Sequence, residues 1–244
     1  NGLVEKFSIQ TFDCLDQALQ QKPFATIVAN PSSMHIAPAI KALESGSHVF
    51  IEKPLSSEIS SVGELIKMSH EYNHLTTMVG LQMRFHPLIK KLKEFVDQKV
   101  IGKIVSVRAE VCEFMPWFHT YEDYRNTYAA KMDLGGGVVL SQIHEIDLMI
   151  YLFGMPETLF AGGGKRSRLE IDVEDNVDIL MTNKEITIAL HMDFLQKIKK
   201  REGVIYGEDG RIEFDLNKAS LDLITENKTY NFNWKDFERN DMFA

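Results

Sequence analysis

Several stretches of this chain put titratable or hydroxyl groups where a small ligand could meet them. In Glu52-Lys53-Pro54 a charged pair directly follows an apolar run, and the proline fixes the turn. A cis bond before Pro54 would aim Lys53 into a cleft. A partly desolvated lysine can donate a proton or hold an oxygen, although the same pair could serve as a surface ion pair. In Asn30-Pro31-Ser32-Ser33-Met34-His35 a proline turn precedes small hydroxyl residues suited to capping a helix, and its exposed N–H groups would also suit a pyrophosphate or ribose. Gly135-Gly136-Gly137 leads into an apolar stretch that carries Ser141, His144, Glu145 and Asp147. Glycines allow close backbone approach, and imidazole can take a hydroxyl proton near neutral pH. On one helix Ser141 and His144 would face the same way, and a histidine there could also be a satisfied core residue. Trp117, His119 and Arg125 fall in one polar and aromatic loop that could line a pocket or anchor itself by packing. Gln82 and Arg84 follow a third apolar run.

These groups need elements to hold them. Residues 25–29, 48–51 and 76–80 read as short buried strands, with helices over about 36–45 and 58–73 between them. That alternation predicts βαβ units on a parallel sheet, with right-handed crossovers and ligands at the carboxyl ends of the strands. A helix over about 86–97 and a long strand over 105–114 follow. The apolar stretch after the glycines reads as one buried helix to Gly154. Beyond it lie alternating strands at 177–181, 186–192, 203–206, 211–214 and 220–224, with Glu208-Asp209-Gly210 as a hairpin turn. The expected fold is α/β: a partial parallel sheet over residues 1–83, then an α+β domain over 84–244 with an open, mostly antiparallel sheet.

Composition narrows the function classes. The 244 residues are 44% hydrophobic and 25% charged, with a net charge of −8, which is ordinary for a globular protein and wrong for nucleic acid as a main partner. The short basic run Lys197, Lys199, Lys200 and Arg201 reads as a solvated turn or strand end. No stretch reaches the ~18 apolar residues of a spanning helix, so no membrane partner is expected. The two cysteines, Cys14 and Cys112, form neither a disulfide framework nor a metal knuckle, which points to a reducing cytoplasm and assigns no metal ligands. Both ends of the sequence read as cut from a longer chain.

Taken in order, Asn-Pro-x-x-x-His, Glu-Lys-Pro, Arg-x-His-Pro and a triple glycine with a following His-x-x-Asp closing in Leu-Phe-Gly resemble the Gfo/Idh/MocA oxidoreductases over nearly the whole chain. The resemblance implies a Rossmann domain, then an α/β domain whose open sheet builds a homodimer or homotetramer. It implies NAD or NADP as cofactor and a sugar, cyclitol or nucleotide sugar as substrate. Lys53 and His144 are then the catalytic pair. Asn30, Pro31, Ser32, His35, Glu52, Lys53, Pro54, Gln82 and Arg84 would contact the cofactor. Lys53, Trp117, His119, Arg125, Ser141 and His144 would contact substrate. Two departures stand out. The family's opening Gly-x-Gly-x-x-Gly turn and acidic ribose ligand are absent, which leaves 7–12 as the remnant of an earlier strand and predicts poor independent stability for residues 1–83. Ser141 stands where many relatives carry an aspartate, and a hydroxyl stabilises an imidazolium less than a carboxylate does. A non-catalytic nicotinamide or sugar sensor, or an oligomerisation scaffold, are the alternative readings.

Overall fold

The computed structural model describes residues 6–243. They divide into two compact units, one running up to Gly80 and taking in Asp133–Gly135, the other comprising Leu81–Met132 and the chain from Gly136 onward.

In the first unit a short helix, α1 (Leu15–Leu19), precedes β1 (Ala25–Val28), α2 (Ile36–Glu44), β2 (His48–Ile51), α3 (Val62–Glu71) and β3 (Thr77–Val79). The three strands pair in parallel in the order β1-β2-β3, a Rossmann-like arrangement. Gly46, at φ +83°, ends α2 in a conformation that a side chain would strain. The apolar stripe of α2 (Ile36, Ala39, Ala42, Leu43) packs with Val28, Val49 and Ile51. Two expectations need correction. The strand at 25–29 is buried on one side only, because Ile27 is 70% exposed and Phe24, just before it, 82%. Residues 8–12 form no strand, and β1 is left as an edge strand paired with β2 alone.

In the second unit α4 (Pro87–Asp97) starts on a proline, where the missing N–H costs nothing, and His86 Nδ1 accepts from the Leu88 N–H at 3.1 Å. There follow β4 (Ile104–Cys112), the helical pieces α5 (Val138–Ser141) and α6 (Ile143–Phe153), and then β5 (Thr158–Gly164), β6 (Asn176–Thr182), β7 (Thr187–Asp193), β8 (Lys200–Gly207), β9 (Gly210–Asp215), β10 (Ser220–Thr225) and β11 (Thr229–Asn233). These eight strands form one sheet in the order β11-β10-β9-β8-β4-β7-β6-β5. Every neighbouring pair is antiparallel except β4 and β7. Alternate residues of β6, β7, β9 and β10 are buried in a core that also holds Leu88 and Leu92 of α4 and Leu148 and Leu152 of α6. The opposite face carries Arg108, Glu110, Asp178, Glu202 and Asp222 around a broad depression. Neither β5 nor β11 was visible as a periodic strand. β5 is almost wholly exposed and ends in three glycines, and β11 is a polar edge strand.

Candidate active site

In the first unit the candidate residues gather at the carboxyl ends of β1 and β2. His35 is 1% exposed, and its ring joins the two loops: Nδ1 lies 2.8 Å from the Pro54 carbonyl oxygen and Nε2 2.8 Å from that of Asn30. Carbonyl oxygens only accept, so a neutral ring satisfies one of them and a protonated ring both. His35 therefore braces the loops from beneath. Asn30 is exposed on that edge and Pro31 half-buried. The Lys53–Pro54 bond is cis, Lys53 is half-buried, and its backbone N–H donates to the Glu52 carboxylate at 3.3 Å. Ser32 is buried, and Gly135, at φ +76°, passes so close that a Cβ there would lie 2.9 Å from the Ser32 Cβ and 2.8 Å from that of Ser57. The missing side chain of Gly135 permits that close approach.

The second unit holds the histidine. The chain after the glycines is not one helix, because Gln142, at φ −107° and ψ 31°, breaks it into α5 and α6. Ser141 and His144 therefore sit on different helical pieces, and the three-residue spacing on one helix does not relate them. Glu174 starts α5: its backbone oxygen accepts from the Val138 N–H at 3.0 Å and its carboxylate from the Val139 N–H at 3.1 Å. Gly137, at φ +105°, is required there, since a Cβ would collide with that carboxylate. His144 is 5% exposed, and two partly buried ion pairs hold the helix on which it stands. Glu145 accepts from Arg201 Nε at 2.5 Å. Burial works against the Arg201 charge, yet Glu145 outweighs it and holds the guanidinium above its usual value. Asp147 takes a two-pronged contact from Arg84 at 2.9 and 2.5 Å, and these hydrogen bonds raise the Arg84 guanidinium in turn.

Arg201 corrects the reading of the basic run. Lys199 and Lys200 pair with Glu113 and Glu110 at the surface, whereas Arg201 points inward to Glu145. Strand alternation along β8 turns neighbouring basic residues to opposite faces. Sequence reasoning missed Glu174 and Arg201 because their partners lie 35 and 56 residues away.

The loop residues spread out. Trp117 packs edge-on against Phe114 at 5.1 Å and is half exposed. His119 lies against Tyr121 with the rings tilted by 47°, and the Tyr121 hydroxyl is 3.2 Å from its Nδ1. Arg125 is engaged at the surface by Asp123 and Glu170, which raise its guanidinium while Arg125 lowers the Asp123 carboxyl. Arg84 is likewise committed to Asp147.

The residues present fit the part of a dinucleotide that lies over the carboxyl edge of a parallel sheet. Two braced loops and a half-buried lysine sit at that edge in the first unit. Immediately after β3, in the second unit, the side-chain oxygen of Gln82 is buried and without a hydrogen-bond partner. Both amide atoms of Gln142 are also buried and unpartnered. Such atoms cost stability unless a ligand or water meets them.

Residues 2–81 match the family described as "Oxidoreductase family, NAD-binding Rossmann fold", and residues 89–213 match "GFO/IDH/MocA C-terminal domain". The 2,7-anhydro-N-acetylneuraminate hydratase of Mediterraneibacter gnavus is 29% identical over 166 residues, covering 67% of this chain and 42% of that protein. The myo-inositol 2-dehydrogenase of Thermotoga maritima is 28% identical over 199 residues, covering 81% of this chain and 55% of that protein. The chain thus spans about half the length of these relatives. Among solved structures, UDP-N-acetylglucosamine 3-dehydrogenase from Acidithiobacillus ferrooxidans superposes with a TM-score of 0.78 at 22% identity, covering 99% of this chain and 72% of that one, which shows a shared fold.

Proposed function

Because this chain belongs to the Gfo/Idh/MocA family of oxidoreductases, we propose that it serves hydride transfer between NAD or NADP and a secondary hydroxyl of a sugar, cyclitol or nucleotide sugar. What supports this is, in the first unit, a half-buried lysine behind a cis-proline at the end of β2 and, in the second, a buried histidine on a helix held by ion pairs. The named actions of the two relatives, on an inositol and on an anhydro sugar acid, support a polyhydroxylated substrate.

Bound nicotinamide would supply the hydride acceptor or donor. Asn30, Pro31, Ser32, Glu52, Lys53, Pro54 and Gln82 would hold it, and His35 would keep the first two loops in place. The chain's own task is one proton. In oxidation the His144 imidazole removes the hydroxyl proton, while Lys53 Nζ holds the oxygen and stabilises its growing negative charge. In the reverse direction His144 returns the proton. Ser141 supplies a hydroxyl beside the reacting group, and Arg84 acts through Asp147 to set the pose of α6. Trp117, His119 and Arg125 belong to the substrate side of the reading.

The open face of the eight-stranded sheet, where Phe160 and Leu180 are exposed among charged neighbours, suits a homodimer or homotetramer. Sedimentation of the full-length protein tests that. Two unbridged cysteines fit a cytoplasmic setting, and among the described residues no helix is long and apolar enough to cross a membrane.

The deciding experiment titrates NADH and NADPH into the full-length protein by nicotinamide fluorescence, then assays turnover with inositols and sugars. Saturable binding with turnover is expected, and His144→Ala should lower kcat/KM by about 10²–10⁴-fold. Binding without turnover of any polyol would favour a sensor, and no binding by a folded protein would favour a scaffold. Full activity of His144→Ala at neutral pH would remove His144 from the proton transfer.

A further inference from the structure

The β4–β7 pairing is the one parallel register among the described strands of the large sheet, and it brings together four side chains that the proposed reaction does not use. Glu110 stands opposite His191, and Cys112 opposite Asp193. Both pairs are two residues apart on their strands, so all four side chains share a face. One ligand atom from each of Cys112, His191 and Asp193 lies within 4.8 Å of the other two. His191 Nε2 is 3.1 Å from Asp193 Oδ2, and the Cys112 thiol lies 3.6 Å from Glu110 Oε2.

The surroundings orient these groups as ligands. His191 Nδ1 is 2.8 Å from Asp178 Oδ1, which leaves Nε2 directed at Asp193. A carboxylate behind the far nitrogen of a histidine is the usual outer support of a metal-bound imidazole. Asp193 is 1% exposed, and its Oδ1 accepts from the Leu195 and Gln196 N–H groups at 2.7 and 3.1 Å, so the Oδ2 on the His191 side is held in position. Cys112 is 2% exposed, while Glu110 and His191 reach the open face of the sheet. Three carboxylates and a thiol crowd this spot, and the Lys200 ammonium, 2.8 Å from Glu110 Oε1, is the neighbouring cation.

We propose that Cys112, His191 and Asp193, with Glu110 as the fourth ligand, form a binding site for a zinc-class divalent cation that clamps β4 to β7. Sulfur, imidazole and carboxylate together select zinc over magnesium or calcium, which take oxygen ligands. Binding releases the Cys112 thiol proton to solvent, and the thiolate takes its place on the ion. Asp178 is a positioning residue that acts through His191.

The test uses the full-length protein stripped with a chelator, and Co²⁺ as probe. Expected are one Co²⁺ per chain, a thiolate-to-cobalt charge-transfer band in the near ultraviolet, and its displacement by Zn²⁺ but not Mg²⁺. Cys14 is exposed and is the control: the band should persist in Cys14→Ser and vanish in Cys112→Ser. Asp178→Asn, a change at an exposed position, should weaken Zn²⁺ by about 10–100-fold while leaving the fold intact by circular dichroism. No band in the wild-type protein overturns the proposal whether or not any variant folds. A band that follows Cys14, or Zn²⁺ affinity unchanged in Asp178→Asn, overturns it as well.

Discussion

The two units solve the same problem, a sheet that must bury apolar side chains, with different sequences. The first has short runs of apolar residues on three parallel strands, and nine buried residues among those described make up its core cluster. The second alternates apolar and polar residues along its strands and has 29 in its cluster. Alternation lets one face of a sheet meet water with polar groups, as Arg108, Asp178 and Glu202 do on the large sheet. Runs without alternation leave apolar groups on whichever face is uncovered, as Phe24 and Ile27 show at β1. The lesson is that exposure of a sheet face is tolerable or costly according to its pattern, and the first unit has the smaller buried core. Its low expected stability as an isolated piece follows from that thin core.

The comparison can be broken by attacking each core. The largest effect should come from Arg201→Ala, which leaves Glu145 charged and buried without its partner. A loss of about 3–5 kcal/mol is expected in denaturant unfolding, and a loss below about 1 kcal/mol would mean that the pair contributes nothing special to the second unit. Leu43→Ala opens a hole in the thin core, where Leu43 is fully buried. It should cost about 2–5 kcal/mol, read by hydrogen exchange as fast amides in β1 and β2 with β4 and β7 still protected. Equal loss of protection in both units would erase the distinction drawn between them.

Acid sharpens it further. Burial, helped by the nearby Arg201 charge, pushes His86 down to about 4. The unfolded chain, with its histidine near 6.5, therefore binds more protons between those values, and stability rises with pH there. The contribution is complete above about pH 6.5 and is lost as pH falls toward 4, by about 3 kcal/mol at most. His86→Asn should flatten that slope in the second unit, and an unchanged slope would place the acid sensitivity elsewhere. The smallest effect is expected from Arg125→Ala, because Arg125, Asp123 and Glu170 are all exposed. Its melting temperature should not move, so any rise in KM would report substrate contact directly.

The sequence was most informative where signals are local. The Asn30 and Glu52-Lys53-Pro54 turns fall at strand ends because prolines and capping residues act over a few positions, and His86-Pro87 starts α4 for the same reason. Exposed β5 and polar β11 lacked periodicity and could not be read as strands. Treating 138–153 as one helix failed because the backbone breaks at Gln142, which no local signal marks, while Glu174, distant in sequence, fixes the start of α5.

Thus the order of most elements and the family were legible in the sequence itself, through periodicity, turn chemistry and motif spacing, and the proposal of Lys53 and His144 rests on the same motifs. Which charges pair was decided only by the tertiary structure. Arg201 meets Glu145, Arg84 meets Asp147, and Cys112 meets His191 and Asp193 across a parallel register. The reason is physical: periodicity and turns depend on residues within one or two turns of chain, whereas a buried ion pair depends on which distant strand the sheet brings alongside, and no local pattern encodes that.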